Sequence, residues 1–308
     1  MEKHIPVLLN ETIEGLNIKN NGIYLDLTIG RGGHSSKILE KLDNGLLIGF
    51  DQDETAIKES NERLSKISKN FRLVHENFKD FDTYLKDNHI DYVDGILMDL
   101  GVSSPQFDDA CRGFSYKQNA KLDMRMDQRQ SLTAYEIVNN YSLSELTRIF
   151  KEYGEDKYSY SIAKNIVKER ENKPIETTFD LVEIIKRSKP EKELHKIGHP
   201  AKQIFQALRI AVNDEIEVLK ITINKALKYL RPHGGRLAII TFHSGEDKIV
   251  KSVFKENSVV VGNRIDGPNN IKEKEYTLIN NKPIVASSEE LENNHRAASA
   301  KLRIIERK

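Results

Sequence analysis

Short apolar runs alternate with longer helical patterns over the first hundred residues. The runs lie at 23–27, 46–50, 71–74 and 93–97, and helical segments are predicted between them at 34–42 and 54–67. In the second segment Ile57, Leu64 and Ile67 follow helical spacing. This alternation is typical of β-α-β units, in which parallel strands are covered by helices. It predicts four strands, which form half of a doubly wound sheet.

The pattern changes after Pro105 to about a hundred residues rich in helical spacing. Helices are predicted at 144–153, 160–170 and 179–187, the last starting at Thr177 or Thr178, and one or two long helices at 200–225. Strand character returns at 236–242 and 300–305, with a helix at 245–255 between them. We therefore expect an α/β fold, a Rossmann-like doubly wound sheet formed by residues 1–105 and 214–308, with an inserted all-helical domain at 106–213.

Composition fits a soluble globular protein. The chain has 308 residues, of which 38% are hydrophobic and 31% charged. No stretch approaches the roughly 20 apolar residues that a membrane-spanning helix needs, and residues 1–6 lack the features of a secretion signal. We therefore expect a cytoplasmic protein without a membrane partner. The single cysteine, Cys111, excludes an intrachain disulfide and a zinc site built on paired thiolates.

The net charge of +1 hides two basic segments. Between residues 186 and 209 lie seven Lys or Arg residues against two Glu, and between 293 and 308 five against one. Such segments form either solvated faces or surfaces that bind a polyanion. Charge alone does not identify a nucleic acid.

The segment 26–35 reads D-L-T-I-G-R-G-G-H-S and follows the first predicted strand. Its glycines permit unusual backbone angles and allow a ligand to approach main-chain N–H groups. A nicotinamide-type fingerprint would place a third glycine where Ser35 stands, and a phosphate loop would end in Gly-Lys-Ser or Gly-Lys-Thr. The segment predicts a cofactor loop, with dinucleotide binding and a merely tight turn as alternatives.

Three further residues follow predicted strands. Asp51 ends the second strand, where an acidic side chain can accept hydrogen bonds from both ribose hydroxyls; helix capping is the alternative, although Asp53 suits that role better. Phe78 fits either an adenine contact or the core. Asp99 ends the fourth strand, where loops of open α/β sheets face the ligand crevice. With the missing third glycine, Asp51 and Asp99 favour S-adenosylmethionine as the cofactor.

With these motifs, the chain resembles the RsmH (MraW) family of bacterial 16S ribosomal RNA cytosine-N4 methyltransferases over essentially its whole length. The matching stretches are HIPVLLNE at 4–11, the loop at 26–35, DLGVSSPQ at 99–106, RGFS at 112–115, LDMRMD at 122–127, FQALRIAVNDE at 205–215, FHS at 242–244 and SAKLR at 299–303. Two positions depart from the family pattern: Gly245 stands where leucine is usual, and Ala298 where arginine is usual.

The resemblance implies a class I methyltransferase sheet with an inserted helical domain that recognises RNA. By position, it implies that the S-adenosyl-L-methionine contacts are Gly32, Gly33, His34, Asp51, Phe78, Asp99 and Gln106. It further implies that the substrate is a cytosine in the decoding region of 16S ribosomal RNA, methylated on its exocyclic amine, with the RNA or the small ribosomal subunit as partner.

Catalysis of such a transfer depends mainly on positioning, because the amine must approach the methyl carbon from the side opposite the departing sulfur. We assign Asp99 as the catalytic residue: it would accept an N–H bond of the amine, although a contact with the cofactor is the alternative. The candidates for holding the base or the RNA are Asp123, Arg125, His243, Lys301 and Arg303. A charged turn packed by methionines is the alternative for 123–127, and a core histidine for His243.

No metal site is expected. His195 and His199 are four residues apart, but no third ligand accompanies them, and Gly198 and Pro200 disfavour a helix there. Three functions remain open: an RNA cytosine methyltransferase, which the assembled motifs favour, a DNA amine methyltransferase, and a non-catalytic ribosome assembly factor that retains the cofactor. The sequence leaves monomer and homodimer equally open.

Overall fold

The computed structural model describes residues 6–258 and 274–308. His4 and Ile5 of the first matching stretch lie outside these residues. The chain divides into two compact units, one formed by Met1–Gly101 and Glu217–Lys308 and the other by Val102–Ile216. The first contains the sheet, and the second is helical.

The described residues of the first unit contain a seven-stranded mixed sheet. Its strands are β1 (Ile23–Asp26), β2 (Leu46–Phe50), β3 (Phe71–Val74), β4 (Gly95–Asp99), β5 (Arg236–Thr241), β6 (Tyr276–Leu278) and β7 (Lys301–Arg307). The order is β3-β2-β1-β4-β5-β7-β6. The first five are parallel, and β7 is antiparallel to both of its neighbours. Because the order reverses between β1 and β4, the ligand crevice of this fold lies at the carboxyl ends of these strands.

Helices flank the strands and fill the second unit. In chain order they are α1 (Leu9–Leu16), α2 (Gly33–Leu39), α3 (Glu54–Leu64), α4 (Phe81–Asp87), α5 (Ser104–Asp108), α6 (Ala134–Asn140), α7 (Leu143–Glu152), α8 (Ser159–Arg170), α9 (Thr178–Arg187), α10 (Glu191–Leu194), α11 (Lys202–Asn213), α12 (Glu215–Tyr229), α13 (Ser244–Ser258) and α14 (Ser288–Asn293). No helix in the described stretches is long and apolar enough to cross a membrane.

Two apolar layers cover the sheet. Leu25 of β1 packs in a cluster with side chains of α4, α12 and α13, whereas the neighbouring Tyr24 packs in a cluster with side chains of α1, α2 and α3. Strands covered on both faces need apolar residues at every position, which is why they read as continuous runs in the sequence. The sheet architecture is the predicted doubly wound α/β fold.

The second unit has a core of its own, built by α6 to α9, α11 and the residues before α6. Its helix starts are set by side-chain caps. Ser142 and Glu145 form a reciprocal capping box at α7, and Thr177 and Asp180 form another at α9. Of the two predicted starts of α9, Thr177 is therefore the cap.

Several boundaries differ from the sequence prediction. The strand predicted at 93–97 lies two residues later, because Val93 forms only an isolated bridge with Leu230. The segment 200–225 is two helices, since Asp214 adopts a left-handed conformation (φ 50°) that ends α11. The sequence pattern missed the three-residue strand β6 and several mostly short helices, namely α1, α4, α5, α6, α10 and α14.

Candidate functional site

The loop after β1 is a tight turn. Gly30 and Gly32 have positive φ angles of 49° and 70°, a conformation that side chains with a Cβ disfavour. A Cβ on Gly33 would clash with Cγ of Pro6, so the N-terminal segment packs directly against the loop. The turn and the contact with Pro6 account for the glycines at these positions, and the cofactor contacts of the loop stay a prediction.

Asp51 holds this loop from the end of β2. Its Oδ2 accepts a hydrogen bond from Gly30 N at 2.9 Å, and its Oδ1 accepts one from Asp53 N at 2.9 Å. Asp53 caps α3 through Thr55 N, as predicted. Burial raises the pKa of Asp51 to about 6, although the two N–H groups lower it. Each carboxylate oxygen has a further lone pair, so Asp51 can still accept hydrogen bonds from hydroxyl groups.

Asp99 ends β4 beside the loop. Its backbone N–H donates to Thr28 Oγ1 at 2.6 Å, which fixes the turn after the strand. Its Oδ1 is buried and has no hydrogen-bond partner among the described residues. Burial, followed by the negative charges of Asp26 and Glu246, raises the pKa of Asp99 to about 8. A buried polar atom without a partner marks a position where a ligand group can bind.

His34 lies next to Asp99. Its Nε2 lies 2.9 Å from the carbonyl oxygen of Val7, and because that oxygen only accepts, Nε2 carries the proton. Its Nδ1 lies 3.6 Å from Asp99 Oδ2, which is beyond hydrogen-bond distance. The imidazole is buried and its orientation is fixed by the N-terminal segment.

Two buried carboxyl groups were missed by the sequence reasoning. Asp26 accepts hydrogen bonds from Ser35 Oγ (2.7 Å) and Thr28 N (3.2 Å), and burial raises its pKa to about 6 despite them. Glu246 accepts from Phe242 N at 2.8 Å at the start of α13. An acidic residue in the first turn of a helix is a recognisable capping signal, but its closeness to Asp99 is a tertiary feature.

Phe78 follows β3 in a short 3-10 helix and is partly buried against the apolar cluster that contains Phe50. The preceding Asn77 donates from Nδ2 to Gln52 Oε1 at 2.9 Å, which ties this turn to the one after β2. The structure thus shows the core contact of Phe78. The adenine contact stays a prediction.

Three candidates on or beside β5 and β7 lie close to acids of α13. His243 follows β5, and its Nε2 lies 3.1 Å from Glu246 Oε1, but this buried atom has no hydrogen-bond partner among the described residues. Arg303 is 7% exposed and its Nε donates to Asp247 Oδ1 at 2.7 Å, whereas Lys301 is more exposed and lies 3.3 Å from the same carboxylate. Burial opposes ionisation of Asp247, but the two cations outweigh it and its pKa is lowered. Arg303 is therefore committed to an internal ion pair, and Lys301 is the better placed of the two for an external contact.

The remaining candidates belong to the second unit. Gln106 is buried, and its Oε1 accepts from Ser103 N within the capping box of α5. Arg125 and Asp123 form an ion pair at 2.8 Å, while Met124 and Met126 between the charged residues are buried in the core of the unit. This is the charged turn packed by methionines that was the alternative interpretation. No group of three or more His, Cys, Asp or Glu residues in the described ranges is arranged to hold a metal ion.

Fold and site are those of an α/β protein of the class that binds a nucleoside-containing cofactor at a switch point of the sheet, and several carboxyl groups lie at this switch point. A family comparison makes this specific. The chain belongs to the MraW methylase family, whose sequence profile matches residues 1–308. The resemblance seen in the sequence motifs is thereby confirmed.

Close relatives share one name, "Ribosomal RNA small subunit methyltransferase H". The protein of Mesoplasma florum is 52% identical over 315 residues and covers 100% of both chains. That of Lactobacillus acidophilus is 52% identical over 99% of both chains. That of Halothermothrix orenii is 50% identical over 100% of this chain and 99% of its own.

Proposed function

We propose that this protein transfers the methyl group of S-adenosyl-L-methionine to the exocyclic N4 amine of a cytosine in the decoding region of 16S ribosomal RNA. Family membership and the name of the relatives support the reaction and the RNA. The structural observation that carries the proposal is a set of three carboxyl groups at the switch point, the buried Asp26 and the partly buried Asp51 and Asp99. The pKa values of all three are raised.

The residues present fit this cofactor. The glycine loop lets a ligand approach the backbone, Asp51 can accept hydrogen bonds from ribose hydroxyls, and the unpartnered Oδ1 of Asp99 suits a cationic or N–H group. S-adenosyl-L-methionine supplies a methyl group on a positively charged sulfonium. Burial is the main cause of the raised pKa values of these carboxyl groups, and a cation that enters the site lowers them again. A nicotinamide dinucleotide would instead bring phosphate charges towards the same acids, so the structure argues against this alternative.

Asp99 acts on the amine in this proposal. The lone pair of the cytosine amine is delocalised into the ring, and a carboxylate that accepts one of its N–H bonds makes the nitrogen a better nucleophile. With a pKa of about 8, Asp99 is mostly protonated at pH 7 in the free protein. A neighbouring positive charge lowers this pKa, so Asp99 becomes an acceptor when the site is filled.

We assign the cofactor and the chemistry to residues 1–105 and 214–308 and RNA recognition to the helical insertion at 106–213. A base that is stacked inside an RNA double helix cannot reach such a crevice, so the target cytosine must be unstacked when it is methylated. The protein would act in the cytoplasm on RNA or on small ribosomal subunits, as a monomer or a homodimer.

The test is methyl transfer from labelled cofactor to small ribosomal subunits isolated from a strain that lacks the enzyme. We expect N4-methylcytosine at one position of 16S ribosomal RNA, found by nuclease digestion and mass spectrometry. Asp99→Ala should lower the transfer rate more than 100-fold, which corresponds to roughly 3 kcal/mol of transition-state stabilisation. Asp87→Asn, which removes an exposed carboxylate on α4, should keep the normal transfer rate. Label in DNA alone would indicate the DNA methyltransferase, and cofactor binding without any transfer would indicate the assembly factor.

A further inference from the structure

A loop of the helical unit presents an isoleucine fully to solvent. This loop, residues 195–201, joins α10 to α11, and we name it the Ile197 loop. The exposure of Ile197 is 108% of that in a reference peptide, the highest among the large hydrophobic side chains that are exposed in the described residues. Gly198 has a φ of 101°, and a Cβ there would meet no atom within 4 Å. Ile197 therefore lies at the tip of a turn that projects into solvent.

The base of the Ile197 loop is firmly anchored. The His199 ring stacks on Tyr116 with centroids 4.3 Å apart and an interplanar angle of 12°. The ammonium of Lys189 donates to the carbonyl of Pro200 at 2.7 Å and pairs with Asp156, and both side chains of this pair are buried. A loop held by a ring stack and a buried ion pair presents its tip in a defined position. The exposed Ile197 is therefore not a side chain on a loosely packed segment.

The surroundings of the Ile197 loop are positively charged. Burial, followed by the charges of Lys186 and Lys117, lowers the pKa of His199 and keeps its imidazole neutral at pH 7. Of the two acids of the adjoining α10, Glu193 is paired locally with Lys196 at 2.7 Å, and Glu191 is exposed and lies 3.8 Å from His195. No carboxylate within the described ranges lies at salt-bridge distance from three exposed lysines of this region: Lys117, Lys192 and Lys202.

We propose that the Ile197 loop is a contact site for the substrate RNA. Ile197 packs against an unstacked base or a ribose of this RNA, and Lys117, Lys192 and Lys202 contact phosphates. RNA offers this combination of anionic backbone and apolar ring faces, and proteins that bind its unpaired segments combine cations with apolar side chains in this way. The inference rests on the proposed function and adds the residues that recognise the substrate.

Kinetics with small ribosomal subunits from the strain lacking the enzyme test the apolar part. Ile197→Ser should raise the KM for subunits roughly tenfold, because it removes an apolar contact that is buried only in the complex. The affinity for S-adenosyl-L-methionine and the melting temperature should not change, since Ile197 is fully exposed. Val285→Ser, which alters a 58% exposed side chain of the first unit, is the matched control and should keep the normal KM.

The charged part has a separate measurement. Replacing Lys117, Lys192 and Lys202 together with Ala should reduce the slope of log kcat/KM against log salt concentration by about 2, at roughly 0.7 for each phosphate that is no longer neutralised. Ile197→Ser changes no charge and should leave that slope unaltered. Equal slopes for the triple variant and the unmodified protein would contradict the phosphate contacts.

A photo-crosslinking amino acid at position 197 decides the partner directly. Crosslinks from the bound subunit to 16S ribosomal RNA support the proposal, and crosslinks confined to ribosomal proteins overturn it. If the unmodified protein methylates 16S ribosomal RNA but Ile197→Ser does so with an unchanged KM, this inference fails while the proposed function stands. If the unmodified protein transfers no methyl group, the proposed function fails, and the crosslink still tests the RNA contact.

Discussion

Asp99 should make the protein less stable as the pH rises, and Asp99→Asn should remove that effect. The side chain of Asp99 is partly buried, with its Oδ1 fully enclosed. This burial, followed by the negative charges of Asp26 and Glu246, raises its pKa from 3.8 to about 8. Between these two values the unfolded chain loses a proton that the folded protein retains. Unfolding is therefore favoured progressively from about pH 4 to pH 8, the opposite of the usual effect of a paired carboxylate.

The size of the effect follows from the two pKa values. Each unit of separation corresponds to about 1.4 kcal/mol. Between pH 5 and pH 7 the free energy of unfolding should fall by roughly 2 to 3 kcal/mol through Asp99 alone. An asparagine has the shape of the protonated acid but does not titrate in this range, so Asp99→Asn should lack this decrease whatever its own stability.

Urea denaturation at pH 5 and pH 7, followed by circular dichroism, measures the difference. Asp99→Ala serves as a second non-titrating variant and should likewise lack the part of the decrease that Asp99 causes. The smaller decrease caused by Asp26 and Asp51, whose pKa values are raised to about 6, should remain in both variants. Asp87→Asn removes an exposed carboxylate and should follow the unmodified protein. If the unmodified protein and Asp99→Asn become less stable in parallel between the two pH values, Asp99 is ionised in the folded protein and its carboxyl group does not have a raised pKa.

Three further outcomes are expected. The ratio of the affinity for S-adenosyl-L-methionine to the affinity for its demethylated product, whose sulfur is uncharged, should increase from pH 6 to pH 9 as Asp99 ionises. Calorimetric titration measures both affinities and should find this ratio independent of pH in Asp99→Asn. Gly33→Ala places a Cβ against Pro6 Cγ, so the affinity of this variant for the cofactor should fall roughly tenfold, or by about 1.4 kcal/mol. An unchanged dissociation constant would show that the N-terminal segment moves aside without disturbing the loop. Asp247→Asn leaves the buried Arg303 without its carboxylate and should lower the free energy of unfolding by about 3 kcal/mol, measured by urea denaturation. A decrease below about 1 kcal/mol would mean that the guanidinium of Arg303 is hydrated in the variant.

The sequence predicted the sheet well because of how it is covered. Strands such as β2 are buried on both faces, so their apolar residues are consecutive and easy to recognise. The order of the motifs along the chain then placed the glycine loop, Asp51 and Asp99 at strand ends, and in a parallel sheet these ends share one edge. The short edge strand β6 gave no such signal, since only three residues pair there.

The partners of charged side chains could not be predicted in the same way. Arg125 pairs with Asp123 two residues away, which a local pattern can suggest. Arg303 pairs with Asp247, which is 56 residues distant, and only the antiparallel placement of β7 beside β5 brings them together. Whether a basic residue faces RNA or an internal acid depends on such tertiary pairing.

The same limit applies to the acids of the site. Asp26 stands in the recognised loop, yet its raised pKa results from burial, which the sequence does not display. His34 was expected as a cofactor contact on resemblance alone. The structure adds that the carbonyl of Val7 fixes its ring, a contact that no motif spacing indicates.

The division of the chain has a consequence for its synthesis on the ribosome. The helical unit is one continuous segment, Val102–Ile216, with its own apolar core, so it can fold as soon as it has left the exit tunnel. The sheet unit cannot, because β7 pairs between β5 and β6 and follows the helical unit in the chain. Leu8 N donates to Glu290 at 2.7 Å, so the segment that holds His34 reaches its final packing only after residue 290 has been made. A product truncated between the helical unit and residue 290 would therefore carry a folded helical unit beside an incomplete sheet.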